Sequence, residues 1–180
     1  MLAPGERRAL FRRIFLAHYG HISAYVGRRL APEDVEDVVE ETFLVAWRRL
    51  EDIPGEDVAL PWLYGIARRV VAQSLRSGRR RGRLLARLGG LRQGDAAVSP
   101  EIERVDDREL ILRALARLRP DDQELLRLAE WEDLPVADLA RIFGCSTNAV
   151  TIRLHRAHKR FAEALAAVEG PVLAVEEASR

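Results

Sequence analysis

Between Arg141 and Lys159 the chain sets out hydroxyl, amide, imidazole and guanidinium groups in an order that suits reading a nucleic-acid duplex. At 100° per residue, Val150, Leu154, Ala157 and Phe161 make one apolar stripe of a helix. Asn148, Thr151, Ile152, His155, Arg156 and Lys159 lie opposite that stripe. From Leu139 to Ala162 there is no acid, while Arg141, Arg153, Arg156, Lys159 and Arg160 are basic. Such a face suits the major groove: arginine for guanine or phosphate, threonine and asparagine for base edges, isoleucine for a thymine methyl. The same pattern would also serve a helical hairpin whose basic face is merely solvated. His155 and His158 have no carboxylate near them in sequence and only one cysteine, Cys145, in the chain, so they do not read as metal ligands. Cys145 itself reads as a small, half-buried turn residue.

The preceding residues are what such a helix needs to be held in place. Pro135 suits a first helical turn, where its missing N–H would have had no partner. Val136, Leu139, Ala140 and Phe143 fall on one face of a short helix over 135–143, and Ala140 is small where two helices must cross closely. Gly144 stands where a helix ends in a left-handed residue, and the Ser146 hydroxyl can cap the next helix, expected to run to about Val168. The layout is a helix-turn-helix.

A second set of residues lies in the first half. Over Val35–Leu50 the apolar positions Val35, Val38, Val39, Thr42, Phe43, Ala46 and Leu50 make a core stripe. Leu44 lies about opposite it, with Trp47 to one side and Asp37, Glu40 and Glu41 interspersed. An apolar pair framed by acids suits a basic protein partner; packing of Leu44 and Trp47 on a neighbouring helix is the alternative. The next helix, expected over 62–76, carries Trp62 and Tyr64 ahead of Arg68, Arg69, Arg76 and the run Arg79, Arg80, Arg81. Aromatics followed by cations suit a single strand, where bases stack and phosphates need neutralising. Taken alone, Trp62 would serve equally in a core.

These elements sit in a chain of 180 residues, 48% apolar and 32% charged, long enough for one large or two small cores. The net charge is only +1, yet Glu33–Asp57 holds ten acids against two arginines, and Val58–Gly94 holds nine arginines and no acid. Polarisation of this kind suits partners of both signs. A single cysteine excludes an internal disulfide, and the lack of a signal peptide or long apolar run points to a soluble, cytoplasmic chain. Ala, Leu, Arg and Glu dominate and strand-like alternation is missing, so the expected fold is all-α. A first helix is expected over 6–30, broken near Gly20, and a second opens at Pro32. Residues 51–61 form an acidic loop, and a stretch from Ser77, rich in glycine and arginine, reads as a flexible linker. Beyond it, an amphipathic stretch from Glu101 (Val105, Leu110, Ile111, Ala114, Leu115, Leu118) and a helix over 121–131 precede the helix-turn-helix.

Together these segments resemble bacterial RNA polymerase sigma factors of the compact extracytoplasmic-function group. Asp34 through Trp47 is similar to the polymerase-binding helix of region 2.2, and Trp62-Leu63-Tyr64-Gly65-Ile66-Ala67-Arg68 to the start of the promoter-reading helix. Leu118 through Leu126 and Val150 through Ala157 resemble region 4. The resemblance implies two helical domains, region 2 at 6–88 and region 4 at 101–168, with a basic linker at 89–100 and a tail at 169–180. It implies docking of Asp37, Glu40, Glu41, Leu44 and Trp47 on the β′ clamp helices of core polymerase, with the β flap as a second contact. It places the minus-ten element against Trp62, Tyr64, Arg68, Arg69, Gln73, Arg76, Arg79 and Arg80, the loop before them helping to capture a flipped base of the non-template strand. The minus-thirty-five element would meet Thr151, Ile152, His155 and Arg156, with Arg141, Ser146, Thr147, Asn148, Arg153 and Lys159 on phosphates. An anti-sigma factor is an implied partner; no cofactor or metal is. Many members of the family carry Asn and Asp where this chain has Arg69 and Gln73, so base preference at the minus-ten element does not transfer.

Two other readings compete. A stand-alone helix-turn-helix regulator would bind a palindrome without polymerase. An enzyme would have to rest on His18, His21 and nearby acids, which lie on a helix with no third ligand in sequence reach.

Overall fold

The computed structural model describes the backbone over residues 3–89 and 107–178 and side-chain surroundings over 3–78 and 107–168. The expected linker residues 90–100, the start of the amphipathic stretch at 101–106, and the side chains of Arg79, Arg80 and the tail lie outside these ranges. The described residues form α1 (Pro4–Gly27), α2 (Pro32–Arg48), α3 (Ala59–Gly89), α4 (Asp107–Ala116), α5 (Pro120–Glu130), α6 (Val136–Phe143) and α7 (Thr147–Ala178). Short 3-10 turns at Leu50–Asp52 and Glu56–Val58 lie between α2 and α3, and no strand occurs among the described residues. The chain divides into two compact units, one built on α1–α3 and one on α4–α7.

In the N-terminal unit, α1 buries Ile14, Ile22, Tyr25 and Val26 against Val38, Val39, Thr42, Phe43 and Ala46 of α2 and Leu63, Tyr64, Ile66, Ala67 and Val71 of α3. Thr42 is the one polar residue on that α2 stripe, and its hydroxyl donates to the Val38 carbonyl at 2.7 Å within the helix, so burial leaves it satisfied. The α1–α2 seam is aromatic. Phe11, Phe15 and Tyr19 repeat every four residues on α1 and meet Phe43 and Trp47, with Phe15 edge-on to Phe43 at 4.8 Å and Phe11 edge-on to Trp47 at 5.2 Å. Behind it Tyr25 packs on Tyr64 at 5.2 Å, and the Arg29 guanidinium covers Tyr25 at 3.6 Å.

Three expectations for this unit are corrected. Helix α1 does not break at Gly20. An interior glycine costs about 1 kcal/mol, whereas Ile22, Tyr25 and Val26 beyond it each bury a side chain worth roughly 1.5–3 kcal/mol. Helix α3 begins at Ala59 rather than Trp62, because Pro61 falls in the first turn, where its missing N–H costs nothing. It also runs on through Gly78 and Gly82 to Gly89, so the stretch from Ser77 that reads as flexible is helical as far as Gly89.

The C-terminal unit has an aliphatic core. Leu115, Leu118, Leu126 and Ala157 form its centre, with Leu154, Phe161 and Ala164 packed around them. Ile111, expected on the apolar face of α4, is 39% exposed. Asp122, at N3 of α5, is 7% exposed and accepts a hydrogen bond from Arg160 Nη1 at 2.8 Å, which ties α5 to α7. Helix α7 continues past Val168 to Ala178, so the backbone of the expected tail is helical over residues 169–178.

Candidate nucleic-acid and partner surfaces

The turn between α6 and α7 is fixed by its own backbone. Gly144 adopts φ 64°, and the Cys145 N–H donates back to the Ala140 carbonyl at 3.1 Å, the six-to-one bond of a Schellman ending. Ser146 Oγ then accepts from the Ala149 N–H at 3.2 Å and caps α7. The expected stripe is on the inside: Val150 and Ala157 are buried, and Leu154 and Phe161 are half-buried. The expected outer face is on the outside. Ser146, Thr147, Asn148, Thr151, Ile152, His155, Arg156 and Lys159 are all exposed, as is Arg141, and Arg153 is half-buried. Ile152 is 44% exposed, a large apolar side chain left in water amid hydrogen-bonding groups. One donor is occupied locally, since Thr151 Oγ1 donates to the Thr147 carbonyl at 2.9 Å.

Two residues escaped the sequence reading. Arg119 and Asp122 join Arg153, Arg156 and Arg160 around an open cleft of about 460 Å³ beside the exposed face of α7. Asp122 Oδ2 lies 2.8 Å from Arg160 and 3.6 Å from Arg119, holding both guanidiniums at the rim. The available signal was an acid three and four residues before Leu125 and Leu126, which puts it on the buried side of α5. Nor is His158 without a carboxylate as expected: Glu130 Oε1 stands 3.0 Å from its Nε2. That pair still lacks further ligands, and no group of three or more His, Cys, Asp or Glu is placed for a metal among the described residues.

On α2, Asp37, Glu40 and Glu41 are exposed and Leu44 is 48% exposed. Trp47 divides its surface: one edge packs on Phe11, the Arg7 guanidinium lies 4.6 Å over the ring, and Arg7 Nη2 donates to the Trp47 carbonyl at 2.7 Å. Of the two alternatives for this pair, Leu44 takes the open one and Trp47 about half of each. On α3, Arg69, Gln73 and Arg76 are exposed at i, i+4 and i+7 of one face, while Trp62 and Arg68 are half-buried. Tyr64 does not belong to that surface. It is 1% exposed and packed at a tilt against Tyr25, so its ring is core and offers no face to a base.

The loop between α2 and α3 is anchored at both ends, since Leu50 and Ala59 are fully buried. Its exposed acids are Glu51, Asp52, Glu56 and Asp57. Arg13 of α1 grips Glu56 with two bonds, Nε to Oε2 at 3.1 Å and Nη2 to Oε1 at 2.7 Å, and Arg49 Nε meets Asp52 Oδ2 at 3.0 Å. The Arg13 hydrogen bond holds the Glu56 carboxyl below its usual range, and the same bond raises Arg13. His18 and His21 lie with ring centroids 6.4 Å apart; burial, then His21, pushes the His18 imidazole below its ordinary value and so favours its neutral form.

Two all-helical units, one with an acidic helix beside an arginine-bearing helix and one with a helix-turn-helix, match known families over most of the chain. Residues 14–81 match sigma-70 region 2 and residues 108–161 match sigma-70 region 4. The chain belongs to the sigma-70 family of RNA polymerase sigma factors. Within it, the chain falls in the extracytoplasmic-function group. It is 29% identical to ECF RNA polymerase sigma factor SigL of Mycobacterium tuberculosis over 159 residues, covering 86% of this chain and 88% of that one. It is 28% identical to the ECF RNA polymerase sigma-E factor of Haemophilus influenzae over 169 residues, 86% of each chain. The fold is similar to CnrH, solved in complex with the cytosolic domain of CnrY, with a TM-score of 0.57 and 26% identity over 87% of this chain and 88% of that one. It is also similar to sigma factor RpoE of Bartonella quintana, solved with the anti-sigma factor NepR, with a TM-score of 0.59 and 24% identity over 86% of this chain and 96% of that one. No helix among the described residues is long and apolar enough to cross a membrane.

Proposed function

We propose that the exposed faces divide the work of a sigma factor among them. Asp37, Glu40, Glu41, Leu44 and the open edge of Trp47 dock on the basic β′ clamp helices of core polymerase, with the β flap engaging the other unit. Trp62, Arg68, Arg69, Gln73 and Arg76, with Arg79 and Arg80 beyond them, hold the non-template strand of the minus-ten element, and the loop before α3 captures a flipped base. Thr151, Ile152, His155 and Arg156 read the minus-thirty-five element, while Arg141, Ser146, Thr147, Asn148, Arg153 and Lys159 hold phosphates. The functional boundaries are 6–88 for region 2, 89–100 for the linker and 101–168 for region 4. An anti-sigma factor is the regulatory partner that the family resemblance implies, and the relative CnrH was solved with the cytosolic domain of CnrY.

No covalent chemistry falls to this chain on that reading: polymerase supplies the catalysis, and the chain acts in the cytoplasm as its initiation factor. Two weak DNA contacts tethered to one enzyme act together through high effective concentration. The observation that carries the reading is one chain presenting an acidic, Leu44-bearing helix in one unit and, in the other, a helix that is acid-free from Thr147 to Ala162 with Ile152 exposed. Run-off transcription by core polymerase, with and without the protein, on a library of promoter fragments tests it. Transcripts that appear only with the protein, from fragments sharing two spaced elements, support it; tight specific binding to a palindrome without polymerase would favour the stand-alone regulator instead.

A further inference from the structure

The loop between α2 and α3 presents a charge problem. It is proposed to lie against a nucleic-acid strand, yet Glu51, Asp52, Glu56 and Asp57 are all exposed on it. Four carboxylates beside a phosphate backbone repel it, and at surface separations within a Debye length salt screens this only in part. Two of the four have counter-ions built into the fold. Arg49, at the end of α2, pairs with Asp52, a neighbour in sequence. Arg13 comes from α1, 43 residues away, and grips Glu56 through both carboxylate oxygens. Arg13 and Glu56 are each more than half exposed, so the pair adds little to folding. A two-pronged bond between planar groups nevertheless fixes where the charge of Glu56 is cancelled.

We infer that Arg13 is an intramolecular counter-ion for the DNA-facing loop, a positioning residue that masks Glu56 and thereby admits the strand. The inference rests on the proposal that this loop meets single-stranded DNA. Arg13 does its work through Glu56 and touches no phosphate itself, so removing Arg13 harms binding only while Glu56 remains charged. The two substitutions are therefore coupled, which a direct phosphate contact would not be.

The test uses holoenzyme assembled from core polymerase and the full chain, with a fluorescent random-sequence single-stranded DNA pool as probe, read by anisotropy at low and at moderate salt. Arg13→Ala is expected to weaken binding by about three- to tenfold at low salt, the scale of one partly screened charge. Arg13→Ala combined with Glu56→Gln is expected to return to within about twofold of the native chain, and the deficit of the single variant is expected to shrink with salt. Persistence of the full loss in the double variant would make Arg13 a direct DNA contact and overturn the inference. So would an unchanged affinity for Arg13→Ala, provided that Arg69→Glu with Arg76→Glu weakens binding in the same assay. If the charge reversals on α3 also leave binding unchanged, the single-strand role of this unit fails and the inference fails with it. Thermal melts of all variants check that each still folds, as the exposure of both partners leads one to expect.

Discussion

In the C-terminal unit α7 is delivered by a turn whose constraints all lie within a few residues: Gly144 at φ 64°, the Cys145 bond to Ala140, the Ser146 cap on Ala149. In the N-terminal unit the loop ahead of α3 is held by residues far apart in the chain, with Leu50 and Ala59 sunk in the core and Glu56 gripped by Arg13. Both surfaces are proposed to meet DNA, one as a duplex and one as a single strand. The difference follows from what each must bind. A duplex groove has a fixed shape, so a rigid helix on a short, self-contained turn suffices. A flexible strand has to be given its shape, and that takes a surface assembled from three helices and a tethered loop.

The largest effect that would separate the units is expected at Tyr64. Its ring is core, so Tyr64→Ala is expected to destabilise the N-terminal unit by about 3–5 kcal/mol, as other buried aromatic truncations do. The C-terminal unit should keep its own transition in urea unfolding followed by circular dichroism. A variant that folds normally but loses only single-strand affinity would return Tyr64 to the DNA surface. Next, Arg156→Ala is expected to cost about 1–3 kcal/mol of upstream-element binding, concentrated at one base position, in a competition assay over variant sequences. A loss that is uniform over all sequences would reduce Arg156 to a phosphate contact. Gly144→Ala is smaller, about 1–2 kcal/mol, because an L side chain must then sit in the left-handed region; nothing crowds the added methyl. It should appear in denaturant unfolding of the C-terminal unit only.

The smallest effect is a pH dependence. Burial and His21 hold His18 below its ordinary value of about 6.5, so the folded state binds fewer protons than the unfolded state there. The stability this contributes is fully present above that value and is lost as pH falls below it through the lower folded-state value. Melting of the N-terminal unit should therefore soften slightly from pH 7 to pH 5, and His18→Gln should flatten the slope.

Local signals carried the C-terminal surface into the sequence almost whole. Pro135, Gly144 and Ser146 mark their own roles, and the 100° spacing of Val150, Leu154, Ala157 and Phe161 divides the inside from the outside of α7. The all-α fold and its membership of the sigma-70 family were legible for the same reason. What did not show was set by tertiary packing. Gly20 looked like a break because helix propensity is a local cost, and burial of Ile22, Tyr25 and Val26 farther along α1 outweighs it. Tyr64 looked like a stacking platform because the sequence puts an aromatic near arginines without saying which side Tyr25 occupies. Arg13 and Glu56 are 43 residues apart and ordinary on any surface; only the fold makes them a pair.

Trp47, wedged between the Phe11 ring and the Arg7 guanidinium with one edge open to water, has an optical consequence. An indole so placed emits according to how wet that edge is, and it stands beside Leu44 on the helix proposed to grip polymerase. With Trp62 and Trp131 replaced by phenylalanine it would be the sole strong emitter in the chain. The protein thus carries its own dye at one of its interfaces, and titration with core enzyme or an anti-sigma factor could be followed without attaching a label.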